Sequence, residues 1–287
     1  MADVQESRDD ERRGATFALI LSGAFIALVA LAAIFAPLIA PFDPLEQDLM
    51  LEKVPPVWID GAEPGYWLGA DSLGRDVLSR LIHGARTALI VAFLAASLAA
   101  LIGTALGLLA GYYGGWVDAV ISRLVDMWMA FPPVLLSILL VAVLGAGLHS
   151  VIIAIAVIDW TRFARVIRVE AQAQAAMDYV EAARALGLSR AAILWRDVLP
   201  NVLPTFVVLL SLEMGVAVVV EAILSFVGLS VASDTPTWGG MIAEGRQAIH
   251  FAWWVLVFPL VALCLTVLAF NRFGDALRLV FDPVMRR

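Results

Sequence analysis

Five long stretches of this sequence contain almost no charged residues. Runs without Asp, Glu, Lys or Arg cover residues 14–42, 87–117, 127–158 and 247–271. A fifth run, residues 202–233, is interrupted only by Glu213 and Glu221. Each run exceeds the roughly 20 residues that a helix needs to cross the hydrocarbon core of a bilayer. The pattern predicts a chain of membrane-spanning helices.

The third run is too long for one crossing. As a single helix, residues 127–158 would measure about 48 Å. The glycine-rich stretch LGAGLHS, residues 144–150, predicts a turn that divides it. The chain then has six predicted spans, and the fourth lies near residues 151–167. The first, residues 15–40, is much longer than the roughly 7–15 apolar residues of a signal peptide, so we expect it to be a span.

The positions of the basic residues predict the orientation. Cytoplasmic loops of membrane proteins carry an excess of Lys and Arg. With six spans and both termini in the cytoplasm, 14 of the 19 basic residues lie on the cytoplasmic side. Without the fourth span, six arginines would lie outside, against this bias: Arg162, Arg165, Arg168, Arg184, Arg190 and Arg196.

The predicted organisation follows from these spans. It consists of a cytoplasmic tail (1–14), a first transmembrane helix (15–40), an external segment with an amphipathic helix (41–86), a five-helix transmembrane domain (87–275) and a cytoplasmic tail (276–287). Within the transmembrane domain, residues 168–201 form a long cytoplasmic loop. A loop of this length is expected to have secondary structure of its own.

Composition agrees with a polytopic membrane protein and excludes several other classes. The chain is 62% hydrophobic and 16% charged, with a mean hydropathy of +0.90. The net charge of −7 gives no sign of nucleic-acid binding. The only cysteine, Cys264, excludes a disulfide within the chain, and the only lysine, Lys53, does not belong to a phosphate-binding G-K-[ST] motif. We therefore expect no ATP hydrolysis by this chain, no bound cofactor and no metal site.

The predicted cytoplasmic loop contains the polar segment EAARALGLSRAAILWRDVLPN, residues 181–201. A first short helix, DYVEAARALG, is predicted to place four side chains on one face: Tyr179, Ala182, Ala183 and Leu186. Gly187 suits a left-handed C-cap, and Ser189 suits the N-cap of a second helix that reaches Pro200. An amphipathic connector on the membrane surface is the simpler alternative. The alanines permit close approach of another backbone, which favours a helix that inserts into a partner protein.

The spacing of this segment resembles the cytoplasmic signature of the permease subunits of binding-protein-dependent ABC importers. The matching residues are Glu181, Ala182, Ala183, Gly187, Leu199 and Pro200. In that family the first short helix is a coupling helix that docks in a cleft of a separate ATPase subunit. The resemblance implies that Arg184 and Asn201 belong to the same ATPase-coupling surface. Asp197 departs from the family, which usually has an apolar residue or a histidine at this position.

Two further stretches resemble the dipeptide, oligopeptide and nickel branch of these importers. Before span two, LGADSLGRDVLSRLIHGARTAL (68–89) contains the branch motif as Gly69, Asp71, Gly74, Arg75, Asp76, Ser79 and Arg80. Residues 221–246 and 265–283 resemble its C-terminal half. Residues 76–83 have one polar and one apolar face, which predicts a helix along the outer membrane surface that turns inward at span two.

The resemblance implies a fold, a location and a set of partners. The fold would be an all-α polytopic membrane protein of six transmembrane helices, the type I ABC importer permease fold with a cytoplasmic coupling helix. The chain would be the C-type half of a heterodimeric permease in a bacterial or archaeal cytoplasmic membrane. Its partners would be a second permease subunit, two ATPase subunits that bind ATP and Mg, and an extracytoplasmic binding protein. The branch transports dipeptides, oligopeptides, glutathione and nickel, and the sequence does not choose among them.

Three carboxylates lie within predicted spans, where ionisable groups are costly and often functional. We expect a structural role for Asp159. Glu213, near mid-membrane, suits a structural role or a place in the translocation path equally well, and Glu221 suits an ordering role at the outer gate. A proton-coupled secondary transporter that uses these three residues is the alternative function. Transporters of that class commonly contain an inverted repeat, and this alternative gives the cytoplasmic helix pair no function.

Overall fold

The chain, described here from a computed structural model, is helical over most of its length. The structure describes residues 2–231 and 235–281, with side chains from residue 14 onward. The helices are α1 (Ala2–Ile34), α2 (Ala36–Ile39), α3 (Val77–Tyr113), α4 (Gly115–Met129), α5 (Pro133–Leu144), α6 (Leu148–Ala175), α7 (Asp178–Ala185), α8 (Arg190–Ile193), α9 (Leu199–Phe226), α10 (Trp238–Ala248) and α11 (Trp253–Phe281). A 3-10 turn lies at Leu49–Leu51, and a π-helical segment, Leu194–Val198, joins α8 to α9. The predicted all-α fold class is confirmed.

Three long helices form the centre of the molecule. Helix α3 packs along α6, and α9 packs against both. Helices α10 and α11 cover α9, while α1 lies outside against α11 and α3. The ring N–H groups of two buried tryptophans join elements at the outer end of this core. Trp238 of α10 donates to the Leu81 carbonyl of α3 at 2.9 Å, and Trp254 of α11 donates to the Ala70 carbonyl of the external segment at 3.0 Å. The external segment is therefore attached directly to the helices below it.

Glycines in α3 bring its backbone into contact with α6. Gly103, Gly107 and Gly111 follow one another at four-residue spacing and face the backbone of α6. A Cβ atom on Gly107 would lie only 2.7 Å from the Ala164 carbonyl oxygen. Helices in membranes gain stability from such close packing, because burial of apolar surface gives little advantage over contact with lipid. The α3–α6 pair therefore depends on the absence of side chains along this row.

Fewer helices than the six predicted spans are both long enough and apolar enough to cross a membrane. Among the described residues, four helical segments are long and apolar enough to cross a membrane, and α4 with α5, bent by 85° at their junction, give a fifth. Helix α6 has 28 residues, long enough for a crossing, but it contains several charged side chains. Arg162, Arg165 and Arg168 of α6 form ion pairs with acids of neighbouring helices. The fourth span of the six, residues 151–167, therefore stays a prediction.

Several predicted helix limits are wrong for local reasons. Helix α1 begins at Ala2 and ends at Ile34, where Pro37 follows within the first turn of α2, so residues 15–40 are not one helix. The third run has an additional, unpredicted break at Ala130–Pro132, because two consecutive prolines, Pro132 and Pro133, prevent a continuous helix there. Helix α11 extends to Phe281, past the predicted boundary at residue 275. The predicted turn at residues 144–150 is confirmed, with Gly145 at φ 88°.

The chain does not turn at Pro200. Helices α8 and α9 are joined through the π-helical segment, in which the Leu199 amide donates to the Leu194 carbonyl five residues earlier. Pro200 has no amide hydrogen to donate, and it follows the π-helical segment closely, where the hydrogen-bond spacing of the helix is already altered. The second helix of the loop and the fifth span therefore form one continuous element, residues 190–226.

Candidate functional site

The loop that contains the signature folds as predicted at its two caps. Helix α7 ends before Gly187, which has φ 82° and no neighbouring atom within 4 Å of the place of a Cβ. The Ser189 hydroxyl then accepts a hydrogen bond from the Ala192 amide at 3.2 Å. Glycine is favoured in the left-handed conformation, and serine is favoured as an N-cap. The two caps hold α7 and α8 in a compact helix–turn–helix.

The buried face of α7 is centred on Val180, which lies outside the predicted four-residue face. Val180 is completely buried and Ala183 is half-buried, in a cluster with Leu108, Ile167 and Val198. The other signature side chains of α7 and its C-terminal turn are exposed: Glu181, Ala182, Arg184, Leu186 and Gly187. Apolar residues occupy both sides of this short helix, so its sequence pattern did not decide which side packs inward. We call the exposed set the α7 outer face.

Leu186 gives the α7 outer face an apolar projection. Its side chain is 81% exposed, in a segment where Val180 is 0% exposed. Arg184 places its guanidinium 5.9 Å from the centre of the Tyr112 ring at the end of α3. The Glu181 carboxylate makes no hydrogen bond within the described residues. The outer face thus combines an apolar projection with charged groups that remain available to a partner.

A tyrosine connects α7 to the two long helices beside it. The Tyr179 hydroxyl donates to Gln174 Oε1 of α6 at 2.8 Å, and it accepts from Asn201 Nδ2 of α9 at 3.4 Å. Burial raises the pKa of the Tyr179 hydroxyl above its usual value, so this group stays a hydrogen-bond donor at neutral pH. Asn201 Nδ2 also donates to the Asp197 carbonyl at 2.7 Å. Asn201, which was predicted to belong to the coupling surface, thus lies beside Tyr179. Tyr179 was predicted only to lie on one face of the first helix, without a role.

The remaining residues of the signature lie where the loop joins α9. Leu199 and Pro200 form the first turn of α9, with Leu199 half-buried against the cluster under α7. Asp197, the departure from the family pattern, lies in the π-helical segment. Its Oδ2 atom is buried and makes no hydrogen bond among the described residues. The signature therefore belongs to one structural unit of α7, its caps and the start of α9.

The motif before span two forms a buried ion cluster on the opposite side of the molecule. Asp71, Arg75, Arg80 and Glu244 make up what we call the outer ion cluster. Arg75 Nε donates to Asp71 at 2.7 Å, and Arg75 Nη2 donates to Glu244 of α10 at 2.8 Å. Arg80 donates to both carboxylates as well. Two buried arginines thus hold α10 against the start of α3.

The other motif residues build the turn that carries this cluster. Asp76 caps α3 by accepting from the Ser79 amide at 2.7 Å, and burial raises the pKa of the Asp76 carboxyl above its usual value. Gly69 and Gly74 have φ of 80° and 73°, and a Cβ on either would meet backbone atoms. The predicted surface helix is wrong, because residues 77–113 form one uninterrupted helix whose first polar face is buried in the cluster. The sequence analysis did not identify Glu244 of α10, which pairs with Arg75 and Arg80.

We expect Glu244→Gln to loosen the outer ion cluster. Glu244 is the half-exposed member, with 42% of its side chain accessible, so a neutral amide there leaves Arg75 and Arg80 paired only with Asp71. A hydrogen bond to a charged group contributes about 1.5–3 kcal/mol. Thermal unfolding of the purified protein should therefore begin a few degrees lower. Glu63→Gln, the same chemical change at an exposed position of the external segment, is the matched control and should leave unfolding unchanged.

The intramembrane carboxylates are buried, and two of them have side-chain partners. Glu213 of α9 is 4% exposed and accepts from Arg162 Nη1 of α6 at 3.2 and 3.3 Å. Glu221 is 1% exposed and accepts from the hydroxyls of Ser225 at 2.5 Å and Ser230 at 3.2 Å. The Gly147 amide donates to the Ser230 carbonyl, so the same serine joins this region to the start of α6. Glu221 therefore links the end of α9 to the residues that follow it, and its ordering role at the outer gate stays a prediction.

A cleft of about 720 Å³ lies between α6, α9 and α11. Val166, Glu170 and Gln174 of α6 line one side. Asn201 of α9, which bonds to Tyr179, also lines it. Small-molecule sites commonly have volumes of this size.

Comparison with known families agrees with this structure. Residues 103–287 match the family model described as "Binding-protein-dependent transport system inner membrane component". Residues 18–56 match a second model, "N-terminal TM domain of oligopeptide transport permease C". The two matches leave residues 57–102 uncovered, which include most of the external segment and most of α3.

Curated relatives are similar over nearly the whole chain. The di/tripeptide transport system permease protein DppC of Pseudomonas aeruginosa is 39% identical, over 91% of this chain and 86% of the relative. The dipeptide transport system permease protein DppC of Haemophilus influenzae is 38% identical, over 96% and 92%. The glutathione transport system permease protein GsiD of Shigella dysenteriae is 42% identical, over 91% and 85%.

Solved structures support the same fold. The inward-facing MetNI methionine ABC transporter contains a chain that superposes with a TM-score of 0.58 at 21% identity, over 71% of this chain and 97% of that chain. A chain of an amino acid ABC transporter crystallised with histidines gives a TM-score of 0.52 at 18% identity, over 69% and 92%. With the family match over more than half of the sequence, these likenesses show that the chain belongs to the inner-membrane components of binding-protein-dependent transport systems, the permease subunits of ABC importers.

Proposed function

We propose that this permease imports small peptides or glutathione and couples to separate ATPase subunits through the α7 outer face. The observation that carries the proposal is the contrast within α7, where Val180 is completely buried and Leu186 is 81% exposed. A helix held to the membrane domain on one side, with an apolar projection on the other, suits insertion into a cleft of a partner. The predicted coupling residues Glu181, Arg184 and Gly187 surround that projection.

The proposed assembly contains this chain, a second homologous permease subunit, two ATPase subunits and an extracytoplasmic binding protein. ATP and Mg would be bound by the ATPase subunits. In the bacterial inner membrane, both termini and α7 would face the cytoplasm, and the outer ion cluster would face the binding protein. The arginine distribution supports this orientation. The peptide and glutathione relatives support the substrate class.

A proton-coupled secondary transporter has less support. Carriers of that class use intramembrane carboxylates that gain and lose protons during transport. Here Glu213 is paired with Arg162, and Glu221 accepts two serine hydroxyl groups. The family to which the chain belongs also works with binding proteins.

Purification from the native membrane tests the proposal directly. We expect the chain to copurify with a second permease and with ATPase subunits, and the reconstituted complex to take up labelled dipeptide only with ATP and binding protein. Glutathione and Ni²⁺ should be assayed in parallel to define the substrate. Uptake that continues without ATP and stops with a protonophore would support the secondary transporter instead.

We expect Tyr179→Phe to weaken coupling without preventing assembly. The change removes the hydroxyl that joins α7 to Gln174 and Asn201, and it keeps the ring. A hydrogen bond of this kind contributes about 0.5–1.5 kcal/mol, which corresponds to a roughly two- to tenfold effect. The measurement is dipeptide uptake per ATP hydrolysed in proteoliposomes, which should fall by that factor. An unchanged ratio would show that this bond does not transmit movement.

A further inference from the structure

Two buried carboxylates, Asp159 and Glu213, lie with the half-buried Arg162 between α6 and α9, a group with one positive charge too few. Arg162 donates to both oxygens of Glu213, which leaves Asp159, one turn earlier on α6, as a second carboxylate beside the same arginine. We propose that Asp159, with Arg162 and Glu213, forms a substrate site that binds a primary ammonium group. We call these three residues the ammonium site. The proposal deepens the proposed function, on which it rests, by naming the substrate group that the permease itself contacts.

The first argument is the absence of a partner for Asp159. The residue is 5% exposed, and within the described residues no group donates a hydrogen bond to its carboxylate. The nearby Arg162 guanidinium pairs with Glu213 instead, and 41% of the Arg162 side chain is accessible. Charged side chains at membrane depth are costly unless they are paired. A cation from a ligand would complete the pairing.

The second argument is access, because the cleft described above leads toward this group. Val166, Glu170 and Gln174 line the cleft at four-residue spacing on α6, and Arg162 is the next position in that row. On α9, Leu209 lines the cleft, and Glu213 lies one turn further along the same face. On both helices, therefore, residues of the ammonium site lie one helical turn beyond residues that line the cleft.

The third argument is the chemistry of the ligand. The ammonium site has a net charge of −1 when its three groups are ionised, and the cleft lining adds Glu170 and Asp275 against Arg278. These charges favour a cation. Among the described residues, no group of three His, Cys, Asp or Glu side chains is placed to hold a metal ion. An organic ammonium group fits better, and the amino terminus of a peptide is mostly protonated at neutral pH because its pKa is about 8.

Direct binding measurements on the complete transporter test this proposal. The complex of both permease subunits with the ATPase subunits is placed in lipid nanodiscs without nucleotide and without binding protein, and the dipeptide Gly-Leu is titrated in by calorimetry. We expect Asp159→Asn to weaken Gly-Leu binding at least tenfold. N-acetyl-Gly-Leu, which has no ammonium group, should bind the wild-type complex as weakly as Gly-Leu binds the variant.

Asp126→Asn is the matched control. Asp126 pairs with Arg165 of the same helix α6 at an exposed position, so the same chemical change there should leave Gly-Leu affinity within twofold. Equal affinity of the wild-type complex for Gly-Leu and its N-acetyl derivative would overturn the proposal, as would no binding of Gly-Leu at all. The N-acetyl comparison needs no variant, so it decides the question even if Asp159→Asn does not assemble. If the wild-type complex shows no ATP-dependent uptake of dipeptide, that result would instead count against the proposed function.

Discussion

Gly107→Leu should prevent this permease from reaching its folded state. The glycine lies in the row where α3 contacts α6, and a Cβ there would be 2.7 Å from the Ala164 carbonyl oxygen and 3.0 Å from the Ile167 Cβ. Neither the backbone nor a Cβ can move without displacing α6, so the two helices must separate. Overpacking in a rigid core costs about 1–3 kcal/mol or more, and four added carbon atoms against backbone exceed the usual case. We expect little monodisperse protein after membrane extraction, measured by size-exclusion chromatography.

The consequence would extend beyond one helix pair. Helix α6 also carries the arginines that pair with Glu213 of α9 and with Asp118 of α4. Separation from α3 would break these ion pairs, and an unpaired charge is costly in the membrane. The loss of stability should therefore be cooperative.

Ala105→Leu is the control for this effect. Ala105 lies two residues before Gly107 on the exposed face of α3, so the same leucine side chain is introduced without contact with α6. We expect normal yield and an unchanged elution profile for this variant. Comparable loss of both variants would show that α3 tolerates no added bulk for reasons unrelated to α6. Normal yield of Gly107→Leu would contradict the close contact itself.

Features that depend on neighbouring residues were predicted well from the sequence. The left-handed conformation of Gly187 and the Ser189 cap follow from residue type and position, because each acts within four residues of itself. The turn at residues 144–150 was predictable for the same reason, because its glycines act locally. The apolar runs similarly identify four spans, because hydrophobicity over 20 residues needs no knowledge of tertiary contacts.

Features that depend on distant partners were not predictable in this way. The polar face after Asp76 has the pattern of a surface helix, and only Glu244, 164 residues beyond Arg80 in the chain, shows why it is buried. The pairing of Arg162 with Glu213 joins residues 51 positions apart. The inward face of α7 is set by the cluster under Val180, which combines α3, α6 and α9. In each case the local sequence pattern allowed two arrangements equally well, and a contact with a distant element determined which one forms.

Glu181→Lys should uncouple ATP hydrolysis from transport. The Glu181 side chain is exposed and bonds to no other group in the described part of the chain, so its change costs the isolated permease little stability. If the α7 outer face docks in an ATPase cleft, the reversed charge is placed inside an interface. Like charges brought together at an interface cost several kcal/mol, a cost that reversal of the charge incurs and its neutralisation does not, so dipeptide uptake should fall at least tenfold. Uptake and ATPase activity are measured together in proteoliposomes.

Glu181→Gln provides the control, because it keeps the size and a hydrogen-bonding group at the same position. We expect it to retain uptake within a few-fold of wild type and to copurify with the ATPase subunits. Wild-type uptake by Glu181→Lys would contradict docking through this face.

Gly187→Leu should have a similar effect on uptake by a different route. A leucine at φ 82° is strained by about 1–2 kcal/mol. Its side chain would project from the turn toward the partner, since no atom of the described residues lies within 4 Å of the place of its Cβ. Gly187→Asn separates the two contributions, because asparagine tolerates the left-handed conformation but still adds a side chain. If Gly187→Asn loses uptake as fully as Gly187→Leu, steric exclusion from the ATPase cleft is the cause. If only Gly187→Leu loses it, the turn geometry of α7 is what the ATPase requires, and wild-type uptake by both variants would contradict docking at this turn.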